Sequence, residues 1–260
     1  MTDTAAVQND RLRELSRTLV EARRCAGSLP EFPGPLPRDL EEAYKVQALS
    51  RAAWPDDVIG WKVGGIPPKH RVALGEQYLA GPIFAKRLVR AQPGVTNEMP
   101  VFAGGFAAIE PEFVLELGEN RDADRLFIGA EIASSPLVAI NDIGPLAVVC
   151  DFGNNNGVLV GPEIPDWQTA GERDLPVATV IDGQMIATRV VADLASDVIA
   201  VRDFLFAHAE RQDIALAPGT LISTGAITGV HEAHAGARSI LDFGRFGALE
   251  LVLVPERQSA

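Results

Sequence analysis

Apolar residues in the first quarter of the chain recur at helical spacing. Leu12, Leu15, Leu19 and Ala22 share one face between Asp10 and Ala26, which predicts a helix. Pro30, Pro33, Gly34, Pro35 and Pro37 then break the pattern, over too short a stretch to be an interdomain linker. Asp39 predicts the start of a second helix, with Glu42 three residues on as its capping-box partner. Leu40, Tyr44, Ala48 and Trp54 mark that helix, and Pro55 ends it.

From Gly60 onward the apolar runs shorten and glycine and proline become frequent. Strands are predicted at 58–63, 109–117, 146–150, 158–160, 177–181, 185–190, 220–224, 238–243 and 249–254. Asp182-Gly183, between two of them, is a hairpin signal. One long helix interrupts the series, with Leu194, Val198, Val201, Leu205 and Ala209 along one face from about 192 to 211. Strands and helices do not alternate, which argues against a doubly wound parallel sheet. The expectation is an α+β fold in a single domain, 1–260. A helical N-terminal layer (1–57) is followed by a mixed β-roll that carries the chemistry (58–260).

Charge and composition narrow the function classes. Of 260 residues 47% are hydrophobic, enough for a real core, and the net charge of -12 gives no basic footprint for nucleic acid. Two cysteines, Cys25 and Cys150, make neither a disulfide framework nor a zinc site. No run is long and apolar enough to span a bilayer, and the first 17 residues lack the apolar stretch of a signal peptide. The expectation is a soluble cytoplasmic protein.

The chemistry lies in a few segments. In the 109–117 strand, Glu110, Glu112 and Glu116 fall on one side. Neighbours on that side stand about 6.6 Å apart, so two carboxylates can converge on one cation. Glu131 sits in the otherwise apolar run 126–133, where an unpaired carboxylate is costly. A divalent ion would relieve the repulsion among such acids, and oxygen-only donors favour Mg²⁺ or Mn²⁺. Lys62, between apolar residues and three glycines, is a candidate anion holder or acid–base group. The polar turn at 151–157 contains Asp151 and Asn154. A strand ending in Ser223-Thr224-Gly225 offers a hydroxyl and backbone N–H groups to a carboxylate. His231-Glu232-Ala233-His234 lacks the spacing of a zinc motif.

Together and in this order, these segments resemble the fumarylacetoacetate hydrolase superfamily, in its 2-oxopent-4-enoate hydratase and 4-oxalocrotonate decarboxylase branch. Gly60-Trp61-Lys62-Val63-Gly64 resembles the branch's lysine strand, and Glu110-Pro111-Glu112 its metal pair. Glu131 resembles the third acidic ligand, Asp151-Phe152-Gly153 with Gly157 its Asp-Asn-Gly loop, and Leu221 to Gly225 its Thr-Gly strand. The correspondence runs from about Asp39 to Val254. Two departures stand out. Gly64-Gly65-Ile66-Pro67 replaces the usual Gly-Leu-Thr, and Leu74-Gly75 leads into Glu76-Gln77-Tyr78 rather than a Pro-Asp-Phe-Gly run.

The resemblance implies a metal-dependent lyase of small 2-oxo or 2-hydroxydienoic acids. Hydration of 2-hydroxypenta-2,4-dienoate-type compounds in aromatic meta-cleavage catabolism is the first expectation. Decarboxylation of 2-oxo-enedioates and a non-catalytic partner subunit are the alternatives. It implies Glu110, Glu112 and Glu131 as metal ligands and Lys62 and Asp151 as catalytic groups. Lys62, Asn154, Thr224 and Gly225 would bind substrate. It also implies a homo-oligomer and a possible hydratase–decarboxylase complex.

Overall fold

The computed structural model of the chain describes residues 2–92, 94–169 and 174–258. In chain order the elements are α1 (Thr2–Arg24), α2 (Leu40–Ala53), β1 (Val58–Gly65), α3 (Pro68–Leu74), β2 (Tyr78–Phe84), β3 (Leu88–Arg90), β4 (Asn97–Val101), β5 (Phe106–Glu116) and β6 (Arg125–Ser135). They continue as α4 (Ile140–Ile143), α5 (Pro145–Cys150), β7 (Asn155–Ile164), β8 (Leu175–Ile181), β9 (Gln184–Val191), α6 (Leu194–Arg211), β10 (Leu221–Ser223), β11 (His231–Glu232), β12 (Arg238–Asp242) and β13 (Ala248–Pro255). The class is α+β, as predicted.

Two mixed sheets carry the fold. The larger runs β2-β1-β10-β5-β6-β7-β3, with β11 added on β5, and the smaller runs β4-β13-β12-β8-β9. Pairings β1–β10, β3–β7 and β4–β13 are parallel and the others antiparallel. The core between the sheets holds Trp61, Ile109, Ile128, Leu159, Val177, Leu241 and Leu251, and α6 adds Leu194, Val198, Val201 and Leu205 to it. A second cluster packs α1, α2 and α5 against Ile66, Leu79, Phe106 and Ala133 at one end of the larger sheet.

Local chemistry accounts for most boundaries. Asp39 caps α2 by accepting from the Glu42 N–H at 2.9 Å. The Glu42 carboxylate does not close the predicted box on Asp39; it accepts from the Arg38 N–H and pairs with the guanidiniums of Arg11 and Arg38. Asp182 (φ 50°) and Gly183 (φ 77°) make the β8–β9 hairpin with two consecutive positive φ values.

The predicted strand at 146–150 is instead α5. Pro145 begins it just after Gly144 (φ 111°), and Ala147, Val148, Val149 and Cys150 are all buried. An apolar run this short, buried on every side, has no periodicity to separate helix from strand. Strands β2, β3, β4, β6 and β11 escape prediction: β3 and β11 are only two or three residues long, β6 is buried along its length with no alternation to read, and β2 and β4 are interrupted by Pro82 and Pro100. Strands β2 and β4 lie at sheet edges, where a missing N–H is tolerated.

The larger sheet is curled. In a flat sheet β1 and β6, three strand spacings apart, would be separated by about 14 Å. Yet Lys62 of β1 reaches Glu131 of β6. On the concave face one end is plugged by Ile83, Val114, Phe127, Val158, Val160 and Leu221, and the other carries the charged groups.

Candidate metal centre

Strand alternation builds the acidic cluster. Glu110 and Glu112 lie two apart on β5, and antiparallel pairing sets Glu110 directly opposite Glu131 on β6. Like charges in register destabilise a sheet. All three side chains are buried, and one carboxylate oxygen from each lies within 4.8 Å of the others. Burial first, then Glu131, raises Glu110 to about 8; burial, then Glu131 and Glu110, raises Glu112 well above the carboxylate range. Glu116, on the same face, has left the cluster for the rim, where it pairs with Arg90 and Arg125.

Glu112 and Glu131 are held in place by neighbouring strands and turns. Glu112 Oε2 accepts from Ser223 Oγ and from the Gly225 N–H at 2.9 Å, while its Oε1 has no partner. Glu131 Oε1 accepts from Asn155 Nδ2 at 2.9 Å, and its Oε2 faces Lys62 Nζ at 3.0 Å. An orphaned, buried carboxylate oxygen beside two further carboxylates fits a hard divalent cation: oxygen donors only, and charge to be neutralised. Lys62, fully buried, is kept protonated by Glu131, Glu110 and Glu112 against the cost of burial.

The cluster opens onto a cavity of about 390 Å³. Lys62 and Glu110 reach its wall together with Asn141 and Asn154, and Leu79, Val148, Pro145 and Val230 supply apolar surface. Asn154 Nδ2 meets Asn141 Oδ1 at 3.4 Å, and Asn154 Oδ1 is buried without a partner. The 152–154 turn is left-handed throughout, with φ values of 57°, 67° and 55°. That conformation costs about 1–2 kcal/mol at Phe152, whereas asparagine tolerates it. Gly81 lets the turn approach, since a Cβ there would stand 2.2 Å from the Phe152 oxygen.

Three sequence expectations are relocated. Asp151 does not line the cavity: its carboxylate binds the buried Arg23 guanidinium at 2.5 Å and accepts from Ser135 Oγ. Thr224 Oγ1 donates to the Phe113 carbonyl at 3.1 Å. The Gly225 N–H is spent on Glu112. The last two therefore fasten β5 and its ligand. The Ser223 hydroxyl does receive a carboxylate, as the sequence offers, but it is that of Glu112; Arg23, Asn155 and Asn141 join the site only in the structure. Arg23 stands on the buried stripe of α1 four residues after Leu19, a charge at an apolar position that signals a buried partner. Asn155 lies in the polar turn at 151–157 that the sequence singles out, and Asn141 carries no sequence signal.

No family profile matches the sequence, and no curated protein matches it. Among solved structures, the fold superposes on 4-oxalocrotonate decarboxylase from Pseudomonas putida G7, complexed with magnesium and adipate. The TM-score is 0.75 at 16% identity, over 94% of this chain and 98% of that one. The fold is that of the fumarylacetoacetate hydrolase superfamily. Fumarylpyruvate hydrolase from Pseudomonas aeruginosa, in complex with Mn²⁺ and pyruvate, shares this superfamily fold with a TM-score of 0.54 at 18% identity. That match covers 75% of this chain and 89% of the hydrolase. The decarboxylase is also known with calcium and acetate, so the neighbours hold the kind of hard cation that the acidic triad suits. No helix among the described residues is long and apolar enough to cross a membrane.

Proposed function

We propose that this protein is a divalent-metal-dependent lyase of a small 2-oxo acid. The observation that carries the reading is the buried triad of Glu110, Glu112 and Glu131, with Lys62, at the base of the cavity. Glu110, Glu112 and Glu131 would hold Mg²⁺ or Mn²⁺, with the unpartnered Oε1 of Glu112 available to it. The ion supplies Lewis acidity toward the 2-oxo carboxylate when bound. Lys62 is the one cation on the cavity wall among the described residues, so it receives the negative charge of the acid. Asn141 and Asn154 supply the uncharged polar groups of the wall that position the substrate.

Within this class we favour decarboxylation of a 2-oxo-enedioate. Addition of water needs an acid–base group near the far carbon. Beyond Glu110 no carboxylate lines the cavity among the described residues, and Asp151 is committed to Arg23. A distal carboxylate set against Leu79, Val148 and Val230 loses hydration. That favours its departure as neutral CO₂, with the electron pair of the broken C–C bond moving into the conjugated chain toward the 2-oxygen. The match to a decarboxylase over nearly the whole chain supports the same choice. Hydration is the second reading, favoured by the unpartnered Asn154 Oδ1, an acceptor suited to a water.

The test is to strip metal from the protein, restore Mg²⁺ or Mn²⁺, and follow 2-oxohex-3-enedioate and 2-hydroxypenta-2,4-dienoate by ultraviolet absorbance and CO₂ release. Metal-dependent CO₂ release from the first establishes the decarboxylase. Metal-dependent loss of the dienoate chromophore alone establishes the hydratase. Turnover of neither overturns the lyase reading and leaves the non-catalytic subunit.

A further inference from the structure

A second cavity, of about 270 Å³, lies between α2, the start of β2 and α6, apart from the metal centre. Its walls include Tyr44, Tyr78, Phe204 and His208. The His208 ring lies 4.5 Å from the Tyr44 ring and stacks on Phe204 at 5.8 Å. His208 is only 2% exposed, and its Nε2 is buried with no hydrogen-bond partner. Leaving such a nitrogen unpaired costs about 1–3 kcal/mol. Nothing in the proposed lyase chemistry uses it.

We propose that this cavity is a binding site for a small neutral phenol, whose hydroxyl pairs with His208 Nε2 and whose ring lies among Tyr44, Tyr78 and Phe204. Size permits it, because apolar cavities of about 150 Å³ already admit benzene. Charge selects a neutral ligand. On the wall Arg211 is paired with Glu76 at 3.0 Å and Glu41 with Lys45 at 2.7 Å, so neither an acid nor a cation finds an unpaired opposite charge there. A hydroxyl is selected over a carbonyl because it both donates and accepts, and so satisfies a neutral imidazole nitrogen in either tautomer. Burial, with Arg211 and Arg51 nearby, keeps that imidazole neutral. Tyr78 adjoins Leu79, which lines the metal-centre cavity, so the two sites share the first residues of β2.

The test is calorimetric titration of the full chain with p-cresol and with toluene at neutral pH. Saturable one-to-one binding of p-cresol is expected, with toluene at least about fivefold weaker and His208→Phe at least about tenfold weaker for p-cresol. Binding is expected to be unchanged in Glu112→Gln. The ¹⁵N resonances of the His208 imidazole in the unaltered protein shift with p-cresol, and less with toluene at equal occupancy, a readout that does not depend on a variant folding. Absence of saturation up to about 5 mM overturns the proposal. So does equal binding by His208→Phe or an unmoved His208 resonance. Loss of binding in Glu112→Gln would place the phenol at the metal centre and overturn it too.

Discussion

Lys62 Nζ lies 3.0 Å from Glu131 Oε2, with both side chains closed off from solvent. The lysine is thus the internal counter-ion of the triad as well as part of the cavity wall. Three carboxylates and one ammonium leave a formal charge of about -2, which one divalent ion neutralises.

Lys62→Met is expected to separate metal binding from turnover. A unit positive charge beside the acidic cluster opposes the entry of a divalent ion. Mg²⁺ should therefore bind the variant about tenfold more tightly by calorimetry, while turnover of the 2-oxo acid falls at least about 100-fold. The metal-free variant should lose about 3–5 kcal/mol in urea unfolding, because Glu131 loses its partner. Weaker Mg²⁺ binding would show that Lys62 organises the ligands instead.

Ser223→Ala removes the hydroxyl that fixes Glu112 Oε2 and leaves the Gly225 N–H in place. Metal affinity should drop about 10–100-fold, as for other groups that orient a ligand. Glu112→Gln should abolish metal-induced thermal stabilisation while the circular dichroism spectrum is retained. Undiminished Mg²⁺ affinity in both variants would remove Glu112 from the metal site.

Arg23 and Asp151 form a buried pair in which Arg23 also donates to the Ser134, Asp151 and Asn155 carbonyls and lies over the Phe102 and Phe152 rings. Breaking it by Arg23→Met or Asp151→Asn should cost about 3–5 kcal/mol in urea unfolding. A double-mutant cycle should show strong coupling between the two changes. Asp151→Asn that keeps full stability and loses turnover would restore Asp151 to a catalytic role.

His208 gives the fold an acid sensitivity. Burial chiefly, then Arg211 and Arg51, lowers its pKa from 6.5 to about 4, and Tyr44 and the Arg211–Glu76 pair also face this region. Between those values the unfolded chain binds a proton that the folded chain does not. The contribution is complete above pH 6.5 and is lost as pH falls toward 4, to a total of about 3 kcal/mol. Carboxylates titrate in the same range, so the quantity to measure is the difference in unfolding free energy between the unaltered protein and His208→Phe. That difference should shift by about this amount from pH 7 to pH 4. A flat difference would show that His208 is solvated.

Where the sequence pattern has a clear period, the structure agrees with it. Leu12, Leu15 and Leu19 mark the buried stripe of α1, Asp39 caps α2, and Val198, Val201 and Leu205 face the core from α6. Glu110 and Glu112 share a face because strand periodicity is local. Glu131 stands out because a charge in an apolar run needs a partner. The runs at 146–150 and 125–135 are buried without alternation and have no period to read, and prolines interrupt the edge strands β2 and β4.

The sequence by itself determined the fold class, the acidic residues and the oxygen-rich chemistry that suits a hard cation, since these follow from residue type and short-range spacing. Tertiary structure decided their partners. Asp151 and Arg23 are 128 residues apart, Glu112 and Ser223 are 111 apart, and Glu131 meets Lys62 only through the curl of the sheet. No local pattern encodes whether a carboxylate is spent on a guanidinium, held by a serine or left with a free oxygen. Long-range packing sets those distances, and with them which acids remain available for chemistry.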